Sequence, residues 1–416
     1  MDILKKELEK IKPSELEIQE LDRKTKDIIK SIKDKFKKQG IVADVFIGGS
    51  SAKNTLIKKK KYDVDLFVRF DKKYDENKIS TLLKKALPKN IKIVHGSRDY
   101  FSLNYEGVDF EVVPVFKINN PKQATNVTDL SYFHVNYVKK HINKKLKLAD
   151  EIRLAKSFAH GADCYGAESY INGFSGYALE LLIIYYGSFV KFIKEMSKIK
   201  DKIVVDSAKL YKNKKHILNE MNDSKLHSPI IFIDPTFKER NALAALSPDT
   251  FKKFQVFCKK FLNKPSLKFF DIEDKCEVLE KKYRKSLIKI KINTDRQAGD
   301  IAGTKLKKFS RYFIRELEKA FDIKVKDFDY NEKENFGLIF LVAKPKKEVL
   351  ICGPPVKMIK AVKAFKKEHK KTIVKKGKIC FVKKLNYNLK DYIKGFVKDR
   401  KKILKQMGVS FVGLEN

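Results

Sequence analysis

Two short apolar runs near the N-terminus, separated by a glycine-containing turn, constrain the fold more than any other feature of this chain. The first run, residues 42–47, ends at a Gly-Gly-Ser-Ser turn (48–51), and the second begins with Asp-Val-Asp at 63–65. Paired glycines let backbone amides approach a ligand closely, because no Cβ intervenes. We predict strands over 42–47 and 63–70, with a helix at 51–57 whose positive N-terminal end favours phosphate.

Acidic residues lie at alternate positions of two predicted strands. Asp63 and Asp65 therefore point to one face of the first, and Asp109 and Glu111 to one face of a strand at 108–116. Neighbouring carboxylates repel each other, and a hard cation such as Mg²⁺ relieves the repulsion while sharing its oxygen ligands with phosphates. Each motif alone is typical of a plain turn or a solvated strand face. Together, in this order, they favour a phosphate and metal site.

The remaining periodicity predicts a multidomain α+β protein. With 416 residues, the chain is long enough for about two to four domains. We predict a catalytic head at 1–145 that carries the glycine turn and the acidic strands, a mainly helical neck at 146–264 and a basic α+β body and tail at 265–416. A helix is expected over 2–39, with Pro13 in its first turn. Further predicted elements are strands 91–94, 100–105, 203–205, 230–234, 287–292, 336–342 and 380–384, and helices 77–87, 250–262, 300–321, 355–370 and 388–407.

The charge indicates a polyanionic partner. Lys and Arg number 92 against 52 Asp and Glu, a net charge of +40, and nucleic acid is the usual partner of so basic a protein. A lysine-rich composition with solvated surface charge is the alternative. Five widely spaced cysteines without a Cys-x-x-Cys pair argue against structural zinc and favour free thiols. No apolar segment is long enough to span a membrane, so we expect a cytoplasmic protein with no membrane partner.

The Gly-Gly-Ser turn followed by Asp63-x-Asp65 resembles the signature of the nucleotidyltransferase superfamily that includes DNA polymerase beta. The longer segment 49–70 resembles one branch, the archaeal class I CCA-adding enzymes, which are tRNA nucleotidyltransferases. The strand containing Glu111 is similar to that family's paired acids followed by Val-Val-Pro, of which the second acid is catalytic. The resemblance therefore implies Asp63, Asp65 and Glu111 as catalytic and metal-binding residues, with Asp109 as the alternative third ligand.

Shorter matches extend the resemblance to about residue 262. They resemble a Thr/Ser-x-Phe-His element, an Arg-Leu-Leu-Lys…Tyr-Gly-Ala-Glu stretch, a Gly-Phe-Ser-Gly-Tyr-x-x-Glu element and an Asp-Pro…Lys-Arg-Asn stretch. In that family the arginine of the last stretch, matched here by Arg240, faces the incoming nucleotide. Arginine suits this role because its planar guanidinium can donate two hydrogen bonds at once. The nucleotide-binding residues implied by the resemblance are Gly49, Ser50, Lys53, His134, Lys156, Tyr165 and Arg240.

The resemblance implies template-independent addition of C, C and A to the tRNA 3′ end from CTP and ATP, with release of pyrophosphate. In-line attack by the RNA 3′-hydroxyl would use two Mg²⁺ ions about 3.5–4 Å apart, bridged by Asp63 and Asp65, with Glu111 on the ion nearest the hydroxyl. Lysine runs beyond residue 344 suit the backbone of the tRNA acceptor stem. A homodimer is a family expectation.

Two other functions stay open. A poly(A) polymerase or an oligoadenylate-type synthetase shares the catalytic head but lacks the Tyr-Gly-Ala-Glu and Gly-Phe-Ser-Gly-Tyr elements. Product length separates it from a CCA-adding enzyme, because only such a rival would extend RNA beyond three nucleotides. A non-catalytic RNA-binding protein on the same fold would keep the basic surface but would not need all three acids.

Overall fold

The computed structural model describes residues 2–96, 98–385 and 388–415. Its contacts divide the chain into two compact units, Met1–Ile272 and Glu273–Asn416, and both mix helices with sheets. The predicted α+β class is therefore confirmed. The further division of the first unit into a head and a neck at residue 145 stays a prediction.

The first unit contains most of the elements predicted from periodicity. Strands 63–70, 100–105, 108–116, 203–205 and 230–234 are confirmed at their predicted bounds. In chain order its elements are α1 (Asp2–Ile11), α2 (Glu15–Lys38), β1 (Ala43–Ile47), α3 (Gly49–Ala52), β2 (Asp63–Phe70), α4 (Glu76–Ala86), β3 (Lys92–Val94), β4 (Tyr100–Tyr105), β5 (Val108–Phe116), α5 (Ser131–Lys144), α6 (Lys147–Gly161), α7 (Gly176–Tyr186), α8 (Phe189–Lys198), β6 (Ile203–Val205), α9 (Lys214–Glu220), α10 (Asp223–Leu226), β7 (Ile230–Asp234), β8 (Phe237–Asn241) and α11 (Pro248–Asn263).

The single helix predicted over 2–39 is wrong, because the chain breaks at Pro13 between α1 and α2. Proline has no amide hydrogen to continue the ladder of α1. Ser14 then caps α2: its hydroxyl accepts from the Glu17 N–H, and the Glu17 carboxylate accepts from the Ser14 N–H at 2.8 Å. This capping box satisfies two free donors of the helix start. The second helix ends before Gly40, whose φ is +63°.

A five-stranded sheet with the order β1-β2-β5-β4-β3 carries the acidic strands. Strands β2 and β5 are parallel neighbours, and all other pairs in this sheet are antiparallel. One face packs its apolar side chains, among them Leu66 and Val112, against Ile28 of α2 and Leu83 of α4. Since strand side chains alternate, the acids lie on the opposite face, which those two helices leave open.

A second core lies under the helices that follow the sheet. Side chains of α6, α7, α8 and α11 pack around Phe158, Phe192 and Phe254, all fully buried. The short strands β6, β7 and β8 form a three-stranded sheet beside them. Within the described residues, no single helix is long and apolar enough to cross a membrane, and α7 with α8 would pass only as a pair bent by 97°.

The second unit contains two sheets. The elements of this unit are α12 (Lys275–Tyr283), β9 (Ile288–Asn293), α13 (Asp300–Leu317), β10 (Phe321–Asn331), β11 (Phe336–Pro345), β12 (Glu348–Pro355), α14 (Ile359–Glu368), β13 (Thr372–Lys375), β14 (Lys378–Lys384), α15 (Leu389–Asp399), α16 (Lys401–Met407) and β15 (Phe411–Leu414). The strand orders of the two sheets are β10-β11-β9-β15 and β12-β14-β13. The predicted helix 300–321 ends at Leu317, since strand β10 begins at Phe321.

One cysteine pair departs from the expected free thiols. Antiparallel pairing of β12 with β14 sets Cys352 opposite Cys380, and the two form a disulfide across 28 residues of sequence. Cys164, Cys258 and Cys276 are free. The expectation of free thiols is therefore wrong for Cys352 and Cys380. Their sequence spacing does not reveal the strand register that places them opposite each other.

A buried acid in α1 predicts a pH-dependent stability. Glu7 is fully buried; one carboxylate oxygen accepts from the Ser157 hydroxyl at 2.8 Å, and the other has no partner among the described residues. Burial raises the pKa of Glu7 above its ordinary value of 4.5, so this site stabilises the fold at low pH and loses that contribution as pH rises.

We therefore expect Glu7→Gln to raise the free energy of unfolding at pH 7–8 by about 1 kcal/mol, because glutamine keeps the acceptor without the charge. The gain should shrink as pH falls toward 4.5, because Glu7 then becomes protonated in the folded state. Urea denaturation at several pH values measures it, with Glu9→Gln, an exposed acid of the same helix, as the control. An equal gain in both variants would contradict this account.

Candidate active site

The acidic strands are aligned by their parallel pairing. Asp63 lies opposite Asp109, and Asp65 lies opposite Glu111. Directly paired residues of neighbouring strands project from the same face, so the four carboxylates form a two-by-two block. The structure therefore sets the three acids named from the sequence on one face of the sheet, with Asp109 beside them.

The carboxylates share a face without converging on one point. Lys59 Nζ lies 2.8 Å from the Asp63 carboxylate, while Asp109 is held by Lys61 Nζ at 2.8 Å and by the Asn104 side-chain amide at 2.7 Å. Among the residues described, no three His, Cys, Asp or Glu side chains are close enough to hold a metal ion. Asp109 has two side-chain partners and Asp63 has one, so the Asp109 carboxylate is less available to bind a metal ion.

Asp65 is wedged beneath the glycine turn. A Cβ on Gly49 would lie 1.7 Å from Asp65 Oδ2, and one on Gly48 would lie 2.2 Å from the Phe67 ring. The Gly48 N–H also donates to the Asp65 carbonyl oxygen at 2.8 Å. Burial and then the charge of Asp63 raise the pKa of Asp65. Both glycines are thus required by close approach to the acidic strand, a reason that the sequence did not reveal.

The helix predicted at 51–57 is wrong. The structure has one turn, α3, which starts earlier and ends where Asn54 adopts a φ of +50°. Ser50 lies on this turn, and its carbonyl accepts from the Thr55 N–H at 3.0 Å. Four residues are too few for a substantial helix dipole. Any phosphate held here would rest on the individual amides and hydroxyl of the turn.

A buried carboxylate joins two of the predicted nucleotide-binding lysines. Glu180 of α7 accepts from Lys53 Nζ at 2.6 Å and from Lys156 Nζ at 2.9 Å. Thr55 completes what we call the Glu180 cluster, donating to Glu180 at 3.2 Å and accepting from Lys156 at 3.0 Å. All four side chains are buried. Lys53 and Lys156 therefore bind an internal acid rather than facing solvent.

Charge within the Glu180 cluster is set by those contacts. Burial alone would raise the pKa of Glu180, but the positive charges of Lys156 and Lys53 hold it below its ordinary value. Two lysines face one carboxylate here, and burial lowers the pKa of Lys156 against the opposing effect of Glu180. Sequence reasoning missed Glu180, although it is the one acid in the apolar run 178–184, which was a usable signal.

Arg153 fixes the loop that carries Lys53. Its guanidinium donates to the carbonyls of Asn54 and Leu56, each at 2.8 Å, and to Asp150 at 2.6 Å. Arg153 is almost completely buried. The loop between the glycine turn and β2 is therefore held by α6, whose Arg-Leu-x-Lys segment supplies both Arg153 and Lys156.

A second buried acid organises the other predicted nucleotide-binding residues. Asp234, at the end of β7, accepts from Arg240 Nη1 at 2.7 Å and from the Tyr177 hydroxyl at 3.0 Å, and lies 3.1 Å from His134 Nε2. The His134 ring stacks on Tyr177 with centroids 4.2 Å apart. Thr236 also donates to Asp234 at 2.7 Å. We call these five residues the Asp234 cluster.

The Asp234 cluster keeps its acid ionised. Burial would raise the pKa of Asp234, but the close contact with His134 and the charge of Arg240 hold it well below its usual range. Burial also lowers the pKa of His134. Arg240 is 26% exposed, compared with 13% for His134 and none for Asp234, so its guanidinium reaches solvent. Sequence analysis named His134 and Arg240 but not Asp234 or Tyr177.

Helix α7 places the two clusters side by side. Tyr177 and Glu180 are three residues apart and share a face of this helix. A Cβ on the preceding Gly176 would lie 2.9 Å from the Tyr165 hydroxyl. Tyr165 stacks on His160 at 3.9 Å. Burial raises the pKa of Tyr165, and the charges of Glu180, Asp63 and Asp65 add to this effect.

Comparisons with known proteins agree with this architecture. A model of the tRNA nucleotidyltransferase second domain matches residues 150–271, and one of the Second Messenger Oligonucleotide or Dinucleotide Synthetase domain matches 1–144. The CCA-adding enzyme of Nanoarchaeum equitans is 37% identical over 70% of this chain and 72% of its own length. That of Methanocaldococcus jannaschii is 30% identical over 95% of this chain and 91% of its own.

Solved structures show the same fold at low identity. The Cid1 poly(U) polymerase superimposes with a TM-score of 0.51 at 12% identity, over 65% of this chain and 98% of its own. A cytoplasmic RNA terminal U-transferase gives a TM-score of 0.50, also at 12% identity, over 66% of this chain and 98% of its own.

Fold, acidic face and relatives together define a nucleotidyltransferase. Within that class, the chain belongs to the family of CCA-adding enzymes, the tRNA nucleotidyltransferases of archaea.

The Glu180 cluster predicts a large cost for losing its one acid. Glu180→Ala should lower the free energy of unfolding by about 3–5 kcal/mol, because two buried ammonium groups would lose their partner. Chemical denaturation measures the change. Glu195→Ala, which breaks the exposed pair with Lys198, is the matched control and should cost less than about 1 kcal/mol. Similar losses in both variants would mean that the buried lysines find other partners.

Proposed function

We propose that this chain completes the 3′ end of tRNA by adding C, C and A from CTP and ATP, with release of pyrophosphate. The observation that carries the proposal is the parallel register that sets Asp65 opposite Glu111, beside a turn whose Gly49 leaves no room for a side chain. Family membership supports the choice of tRNA and nucleoside triphosphates as substrates.

The acidic face fits divalent cations by its chemistry. It offers hard carboxylate oxygens on one surface, and burial together with like charge raises the pKa of Asp65, a cost that a cation would relieve. We propose that Asp63, Asp65 and Glu111 hold two Mg²⁺ ions. When bound, these ions would stabilise negative charge on the attacking and leaving oxygens of nucleotidyl transfer.

Side chains around the acids have distinct roles in this proposal. The Gly49 amide and the Ser50 hydroxyl orient the triphosphate. Lys53 and Lys156 lie behind the turn and share the single carboxylate of Glu180. Their remaining positive charge attracts the triphosphate.

The Asp234 cluster forms the part of the pocket that recognises the base. Arg240 has five donors, and Asp234 fixes its fork through Nη1, so the guanidinium is oriented before the nucleotide arrives. His134 stacked on Tyr177 gives a rigid aromatic wall, and Tyr165 lies close enough to Glu180, Asp63 and Asp65 for their charges to raise its pKa. No covalent intermediate is needed, because positioning and electrostatics suffice.

The second unit supplies much of the affinity for tRNA. Lysine runs at 344–347, 357–378 and 398–405 give it the charge that suits the phosphates of an acceptor stem. We further propose that the protein works in the cytoplasm, away from membranes, as a homodimer.

A second candidate function rests on the match of residues 1–144 to the oligonucleotide and dinucleotide synthetase model. An enzyme of that kind would join nucleotides to one another, or extend RNA further, instead of stopping after a fixed trinucleotide.

Product length separates the two candidates. With tRNA that lacks its 3′ end, Mg²⁺ and CTP plus ATP, we expect growth by three nucleotides and no more. CTP alone should add two. Denaturing gel electrophoresis of labelled tRNA measures the product length.

Asp65→Asn should lose activity by orders of magnitude while tRNA affinity stays nearly unchanged, since the basic second unit supplies most phosphate contacts. Longer products, or full activity of Asp65→Asn, would reject the proposal.

The third acid can be assigned by paired amide substitutions. Glu111→Gln should reduce the rate of addition at least about 100-fold, because it removes a proposed metal ligand. Asp109→Asn should have a much smaller effect, because Lys61 and Asn104 already hold that side chain. Single-turnover rates at saturating tRNA and CTP measure both variants. The reverse ranking would make Asp109 the ligand.

A further inference from the structure

A cavity of about 410 Å³ lies beside the proposed nucleotide pocket, at the free edge of strand β1. Its walls come from α2, β1, α3 and α5 and include Asp22, Phe46, Ser51 and Tyr132. On α5, Tyr132, Asn136 and Lys139 repeat at helical spacing and line the cavity. His134 is turned about 200° from Tyr132 on the same helix, toward Asp234. The cavity is therefore separate from the Asp234 cluster.

Aromatic rings form one wall of this cavity. Phe46 stacks on Phe67 with centroids 5.1 Å apart at 18°, and Tyr132 meets Phe46 edge-on at 5.4 Å. Tyr132 is 36% exposed even though it packs in this cluster. Rings with an accessible face are the usual stacking surface for unpaired bases.

Arg69 adds a cation to the same wall. Its guanidinium carbon lies 3.9 Å from the centre of the Tyr132 ring and 5.9 Å from that of Phe46. Its cross-strand neighbour Asp44 is bound to Lys117 at 2.7 Å instead. In the part of the chain that the structure describes, Arg69 forms no ion pair. It is therefore positioned by stacking, with donors left for a phosphate.

The platform of Phe46, Tyr132 and Arg69 continues the acidic face. Asp65, Phe67 and Arg69 alternate along β2 and point the same way, so Phe67 and Arg69 follow Asp65 by roughly 6.6 and 13 Å. Phe46 lies opposite Phe67 on the edge strand and shares this face. A strand that ends at the acids could thus reach the platform with a neighbouring nucleotide.

We propose that Phe46, Tyr132 and Arg69 form a second nucleotide subsite, which stacks one unpaired base of the RNA substrate and binds its phosphate. Ser51, Asn136 and Lys139 supply polar contacts to the sugar and base edge. The choice of RNA rests on the proposed function, since an enzyme that extends a 3′ end must hold the single strand behind it. Stacking tolerates any base, which suits an end whose sequence changes with each addition.

A single tryptophan can report on this subsite, because the chain contains none. Tyr132→Trp in the Asp65→Asn background should be quenched by an RNA stem-loop with three unpaired 3′ nucleotides. A blunt stem-loop of the same duplex and CTP alone should leave the fluorescence unchanged. Tyr185→Trp, at another exposed tyrosine, is the matched control. Absence of quenching, or equal quenching by CTP, would overturn the proposal.

Kinetics give an independent measurement. In the otherwise active chain, Tyr132→Ala should raise KM for the stem-loop about tenfold, with KM for CTP and kcat nearly unchanged. Tyr132→Phe should behave like the parent chain, and its activity shows that the fold is kept. A fall in kcat alone would reject the subsite. Quenching by RNA in the Asp65→Asn background, together with no nucleotide addition by the chain that keeps Asp65, would instead reject the proposed function and leave the subsite standing.

Discussion

The buried carboxylate of Glu180 is the contact on which the arrangement of the first unit depends. It receives Lys53 from the loop behind the glycine turn and Lys156 from α6, and none of the three would be tolerated in this interior alone. The loop, the two helices and, through Gly49, the acidic strand are therefore placed relative to one another by a single shared charge. Positive groups that are already fixed in place stabilise the charge of a triphosphate without having to reorganise when it binds.

Asp234 repeats the arrangement one helical turn away. It gathers Arg240 and His134 beside Tyr177, as Glu180 gathers its lysines, and both groups meet on α7. In a chain of net charge +40, cations would otherwise spread apart by repulsion. Two buried acids hold these cations close together: Glu180 faces two lysines, while Arg240 balances the charge of Asp234.

Local pattern predicted the acidic strands well, because a period of two is a property of the strand itself. The pairing of Glu180 with lysines more than twenty residues away is not local, and a helix that is apolar on all sides gave no periodicity to interpret. The same limit explains the disulfide of Cys352, which depends on sheet register. The N-terminal error had a local cause: Pro13 precedes the cap at Ser14 and separates two helices, so it was assigned to the wrong turn.

The hold of Arg153 on the backbone of Asn54 and Leu56 bears on modularity. A fragment that stopped at residue 145 would keep the acids of β2 and β5 and the whole five-stranded sheet. The loop behind the glycine turn would nevertheless lose its contacts with Arg153, and Thr55 would lose Glu180 and Lys156. The segment up to residue 145 is consequently not a structurally independent module. A chimera that takes this segment from a related enzyme would also need α6 and α7 from the same enzyme. We therefore expect the sheet, α6 and α7 to be inherited together.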